Sequence, residues 1–141
     1  LITSLLTVMQ EFYENKYALY MLMDNIVHII YKKGVEIDLG ASKQIVRDRL
    51  MFQEERAYPV LCDIRQLRKV DKPARDYLAL EGSQLVNALA FVIEPPVTDA
   101  MTQFYLKTNH PDIPTAAFRD LAKAVAYLGG FLSMVLWLVP L

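Results

Sequence analysis

The segment from Tyr58 to Tyr77 constrains the fold more than any other part of the chain. Tyr58-Pro59 ends a preceding helix, because proline disfavours helical geometry in the residue before it. Val60 to Ile64 is then a short apolar run of buried-strand type, interrupted by Asp63 near its carboxyl end. A basic loop follows. Asp71 next caps a helix whose first turn accepts Pro73, since that nitrogen needs no helical partner. A strand, a charged loop and a capped helix in this order put charged groups where open α/β sheets collect ligands, outside the carboxyl ends of strands.

The remaining pattern extends this frame in both directions. Tyr17 to Met23 and Ile26 to Lys32 are apolar, β-branched and aromatic runs separated by Asp24-Asn25, residues that tolerate the positive φ of a tight hairpin. Ser42 is expected to cap a helix with Ala41, Ile45, Val46, Leu50 and Phe52 on one face and Lys43, Arg47, Asp48 and Glu54 on the other. Ala74, Tyr77 and Leu78 form the inner stripe of the helix after Asp71, and Gly82-Ser83 closes it. Ala88 to Ile93 reads as another buried strand, cut off by Pro95-Pro96. Val97, Ala100, Met101, Phe104 and Tyr105 recur at helical spacing. After a stiff connection from Asn109 to Pro114, Thr115 is expected to cap a last helix with Phe118, Leu121, Ala122, Val125 and Leu128 inward. The order is ββαβαβαα. It predicts an α/β fold, with a mixed sheet of four or five strands covered by helices.

At 141 residues the chain fits one domain with a real core. Its 15 basic and 16 acidic residues nearly balance, so no global field argues for nucleic acid. The single cysteine, Cys62, makes no intramolecular disulfide and no multi-cysteine zinc site; it reads as a core thiol in a reducing, cytoplasmic compartment. The start lacks the basic region and cleavage site of a signal peptide. No charged residue occurs in Leu1 to Gln10 or in Ala124 to Leu141. The last helix takes up part of that second stretch, and the Gly129-Gly130 joint and Pro140 leave too few apolar residues to cross a bilayer as helix. The expectation is therefore no integral membrane span, with residues 129–141 packed on the domain or on a second copy.

Several segments in order carry a family resemblance: Ile26 to Leu39, Tyr-Pro-Val-Leu-Cys-Asp-Ile-Arg from Tyr58 to Arg65, Ala74 to Leu78, and Asn109 to Thr115. Together they resemble the small, largely uncharacterised STAS-like proteins of bacteria, over about residues 17–128. The resemblance implies the architecture of anti-sigma factor antagonists, which is also compared with lipid-carrying CRAL-TRIO domains. Residues 1–16 and 129–141 then stand as apolar extensions. In anti-sigma factor antagonists the loop before the second helix reads Asp-Ser-Ser-Gly, and its first serine is phosphorylated to switch partner binding. Here Asp71 matches the aspartate, but Lys72 and Pro73 replace both serines. A phosphate switch needs a hydroxyl, which neither residue has.

The candidate sites are of two kinds. Asp63, Arg65, Arg68, Lys69, Asp71, Lys72 and Arg75 cluster in sequence, and their five cations suit an acidic partner or a small anion at a helix amino terminus. The bland reading is that Asp63 pairs with Arg65 and Asp71 is occupied as a cap. Tyr77, Met101, Phe104, Tyr105 and Phe118 are candidates for lining an apolar pocket, although inward aromatics are usually core. His28 and His110 have no ligand-spaced partner, and no Gly-rich phosphate loop, GxSxG, HExxH or CxxC is present. The sequence thus leads to a non-enzymatic binding or regulatory module without metal or cofactor. It is expected to dock an unidentified protein partner and to form a homodimer through its apolar termini. The alternative is a carrier or sensor of a lipid or other apolar ligand, held between the sheet and the helices at Val97 to Tyr105 and Phe118 to Leu128.

Overall fold

The computed structural model describes residues 11–109 and 112–138; side chains at 104, 105, 108, 109 and 133–138 fall outside that description. A six-stranded mixed sheet has the spatial order β1-β2-β3-β5-β7-β8. Its strands are β1 (Glu11–Glu14), β2 (Ala18–Met23), β3 (Ile26–Tyr31), β5 (Tyr58–Asp63), β7 (Val86–Val92) and β8 (Thr115–Phe118). The first three pair antiparallel and the rest parallel. A separate parallel pair joins β4 (Glu36–Ile37) to β6 (Lys69–Val70). The helices are α1 (Leu39–Gln53), α2 (Lys72–Leu80), α3 (Val97–Asn109) and α4 (Leu121–Leu138).

Local chemistry explains the well-anticipated parts. Asp24 and Asn25 take φ of 53° and 62°, the paired positive values of a two-residue hairpin turn whose twist matches the flanking strands. Buried residues alternate along β2, so Ala18, Tyr20 and Leu22 share one face. The Asp71 carboxylate accepts from the Ala74 amide at 3.0 Å, capping α2 ahead of Pro73. Two other caps differ from expectation. Asp38, not Ser42, caps α1, accepting from Ala41 N at 2.8 Å, while Ser42 lies inside the helix and donates its hydroxyl to Leu39 O. Thr115 begins β8 rather than a helix, and Asp120 caps α4 through the Ala122 amide at 2.7 Å.

Sheet size and helix orientation also sharpen the expected architecture. The sheet gains β1 at one edge and β8 at the other, the latter parallel to β7 from Leu89↔Thr115 to Val92↔Phe118. Phe118 is therefore a strand residue. The inner face of α3 is turned from the apolar stripe read in the sequence: Thr98 and Thr102 are buried, whereas Val97 is 58 % exposed. Helix α4 runs through Gly129-Gly130 without a break. Among the described residues no helix is long and apolar enough to cross a membrane. The apolar termini expected to form a dimer, residues 1–16 and 129–141, lie partly outside the described residues, at 1–10 and 139–141.

The core divides by sheet face. Helix α4 covers one side, where Ile26, Leu61, Ala88, Ala90 and Val92 meet Ala124 and Leu128. On the other side, Tyr20, Ile29, Val60 and Cys62 form a cluster with Ala41 and Ile45 of α1 and Ala74 of α2.

Candidate functional site

The side of the sheet opposite α4 is packed around Tyr20, Val60 and Ile45 but leaves a cavity. A cavity of about 450 Å³ lies between the sheet and α1, α2 and α3, within the range of about 300–1,000 Å³ usual for small-molecule sites. Its floor includes Ile29, Val60, Cys62, Leu89 and Phe91, alternate residues of adjacent strands. Ile45 and Val46 of α1, Leu78 and Ala79 of α2 and Met101 of α3 contribute to the rest of the wall. Ala88 and Ala90 face α4 and pack with its Ala124 and Leu128, whereas Leu89 and Phe91 on the opposite face line the cavity.

One cation is buried in the cavity wall. Arg49 is 3 % exposed and lies four residues after Ile45, on the inward side of α1. Its Nη2 donates to Gly82 O at 3.0 Å and Gln84 O at 2.9 Å, and its Nη1 donates to Gln53 Oε1. Gln53 in turn donates through Nε2 to Arg56 O and Leu85 O at 2.8 and 2.9 Å. These bonds pin the end of α1 to the connection that enters β7. Among the described residues no carboxylate comes within 4.0 Å of the guanidinium. Burial accordingly pulls its pKa below the ordinary arginine value, although a guanidinium stays charged at neutral pH. A second polar group shares the wall. Thr102 is 2 % exposed, and among the described residues its hydroxyl has no hydrogen-bond partner, a situation that costs about 1–3 kcal/mol.

The thiol in the floor is a poor nucleophile. Burial pushes Cys62 up to about 12, with Arg49 opposing and Asp63 adding to the rise, so the reactive thiolate is scarce at neutral pH. His28 faces α4's side of the sheet, between Met21 and Leu61 in register, and burial lowers its pKa against an opposing pull from Asp24. Among the described residues no group of three or more His, Cys, Asp or Glu side chains is placed to hold a metal ion.

The charged residues expected from sequence are largely engaged with one another or with backbone. Arg65 pairs with Asp63 through Nη2 at 2.7 Å and Nε at 3.0 Å, and this bond raises the arginine's pKa. Lys72 pairs with Asp76 at 2.8 Å, Asp71 caps α2, and Arg75 Nη1 donates to Val70 O at 2.8 Å. Arg68 and Lys69 are exposed and form no ion pair among the described residues. Of these seven residues Arg75 alone lines the cavity.

The apolar candidates also divide. Met101 lines the cavity, whereas Tyr77 does not. Phe118 lies on the α4 side, its ring 5.4 Å from that of Tyr127. The side chains of Phe104 and Tyr105 fall outside the described residues. Helices α3 and α4 therefore lie on opposite faces, and α1 and α2, rather than α4, complete the space beside α3. Arg49 and Thr102 were missed in the sequence. The available signal was a cation four residues from Ile45, and a Thr98-Thr102 pair four apart in a helix read by its apolar residues alone.

Comparison with known proteins fits this architecture. The model of a family described as a domain of unknown function, DUF7793, matches residues 20–132. The chain belongs to the DUF7793 family. The matched span runs from β2 into α4 and so includes the described elements that wall the cavity. Among solved structures, the chain is similar to an uncharacterised protein of the DUF3478 family with a SpoIIAA-like fold from Shewanella loihica PV-4. The two share 12 % identity with a TM-score of 0.54, over 84 % of this chain and 90 % of the other. That likeness shows the fold, in agreement with the STAS-like architecture implied by sequence. No functionally curated protein matches the chain.

Proposed function

We propose that this DUF7793 protein is a non-enzymatic binding module that carries or senses a small, largely apolar ligand. The observation that supports this reading most strongly is the 450 Å³ cavity between the sheet and α1–α3. Its floor is apolar, with Ile29, Val60, Leu89 and Phe91, and it reaches solvent past the exposed Asp76 and Leu80, the form that small-molecule sites take. The protonated Cys62 thiol gives no support to covalent chemistry in that space.

Native mass spectrometry of the freshly purified protein tests the reading, with Ala79→Phe as the control. Ala79 is half-buried in the cavity wall, and a phenyl ring there occupies ligand volume. The expected result is a co-purifying mass, or uptake of an added apolar compound, that the substitution abolishes while the fold persists. Identical uptake by both proteins contradicts the reading.

A second reading is supported by exposed Arg68 and Lys69, which form no ion pair among the described residues. In it, the loop and helix from Asp63 to Tyr77 dock an acidic protein partner without a phosphorylatable serine. Reversing Arg68, Lys69 and Lys72 to glutamate is expected to remove that partner from a pull-down; unchanged recovery sinks this reading.

A further inference from the structure

We infer that the cavity selects a monoanionic amphiphile, a carboxylate on an apolar body, with Arg49 as the anchor for the charged head. This rests on the cavity being a ligand site and adds the chemistry of what occupies it. Arg49 and Thr102 support it by different routes. The Arg49 guanidinium is almost fully buried and has no carboxylate partner among the described residues. Its three bonds to Gln53, Gly82 and Gln84 use three of the five N–H donors, leaving two that can serve a carboxylate. Neutral oxygens satisfy geometry but do not cancel a charge in a low-dielectric interior. Thr102, equally buried and also lining the cavity, offers a hydroxyl with no hydrogen-bond partner among the described residues.

The other charged groups in the lining limit the ligand's charge. The half-buried Arg75 is a second cation, but Asp76 and Asp112 in the same lining are exposed acids that more than offset its charge. One deeply buried cation with acids at the margin suits one negative charge; a dianionic phosphate head would keep a charge uncompensated and meet repulsion. Size narrows the class further. At about 30 Å³ for each water-sized group, the cavity holds on the order of 15 non-hydrogen atoms. Dodecanoate is of that size.

Isothermal titration calorimetry with dodecanoate, dodecanol and dodecyltrimethylammonium, each below its micellar concentration, tests the inference on the intact chain. Dodecanoate is expected to bind at least about tenfold more tightly than dodecanol, the amount a charge-assisted hydrogen bond contributes, and the cation is expected to bind most weakly. Arg49→Gln should reduce the preference for dodecanoate over dodecanol to about one. Thr102→Val, which is nearly isosteric, should weaken dodecanoate a few-fold with folding intact, and it remains informative if Arg49→Gln does not fold. Equal or tighter binding of dodecanol or the cation overturns the anionic selectivity and leaves the apolar-ligand reading standing. Selectivity that survives in a folded Arg49→Gln protein also overturns it. Failure of all three compounds to bind overturns both.

Discussion

The two faces of the sheet solve the same packing problem with opposite results. On the α4 side, Ala88 and Ala90 let the helix settle against the strands, and Leu61 and Leu128 lose all solvent exposure. On the other side, Leu89 and Phe91 face three helices and remain half-buried because the space above them is open. Buried polar groups occur on both faces, with His28 on the α4 side. Arg49, Gln53 and Thr102 belong to the open side, where the first and last line or border the cavity. One face is organised for close packing and the other for accommodating something.

Matched truncations give the sharpest test of that contrast. Leu61→Ala on the closed face is expected to cost about 3 kcal/mol, because it creates a new void in a packed site. Leu89→Ala on the open face removes the same atoms but enlarges a void already present, so about 1 kcal/mol is expected. Urea denaturation of both variants measures the difference. Equal losses would mean that the two faces are packed alike.

A smaller effect separates the faces by pH. His28 sits on the closed face with its folded-state pKa lowered by burial, so the unfolded chain binds the proton more readily. Stability should be full above the unfolded value of about 6.5 and fall as pH drops through it. Thermal melts at pH 7.5 and 5.5 should therefore show an acid-induced loss that is reduced in His28→Gln. A loss of the same size in both proteins assigns the acid sensitivity elsewhere.

The smallest expected change concerns how α4 closes its face. Gly130 is exposed within the helix and a Cβ there meets nothing within 4 Å. Gly130→Ala should stabilise by about 0.5–1 kcal/mol through backbone entropy. A destabilised variant would show that α4 does not pass through this position as a regular helix.

The legible parts of this fold are those decided by nearby residues. Asp24-Asn25 announces its turn, and Asp71 with Pro73 announces the start of α2, because both signals act within a few positions. Strand β8 was hidden for the opposite reason. Thr115-Ala116-Ala117-Phe118 has helix-favouring alanines, and its strand character comes from pairing with β7, which is distant in sequence. Asp38 and Ser42 are both good capping residues, and the difference lies in where the chain leaves β4. The candidate site was legible only in part. The basic cluster stood out by composition, yet ion pairs and caps engage much of it. Arg49 gave little sign because a cation on an amphipathic helix reads as surface until the sheet and Gly82 are placed beside it.

Methyl NMR tests the asymmetry of the two faces most directly, using the isoleucines as reporters during titration with dodecanoate. Ile29, Ile45 and Ile64 line the cavity, while Ile26 packs beneath α4. Saturable shifts at the three cavity methyls, with Ile26 unmoved, are the expected result. Shifts spread equally over both faces, or none at Ile29, Ile45 and Ile64, would contradict a ligand site on the open face.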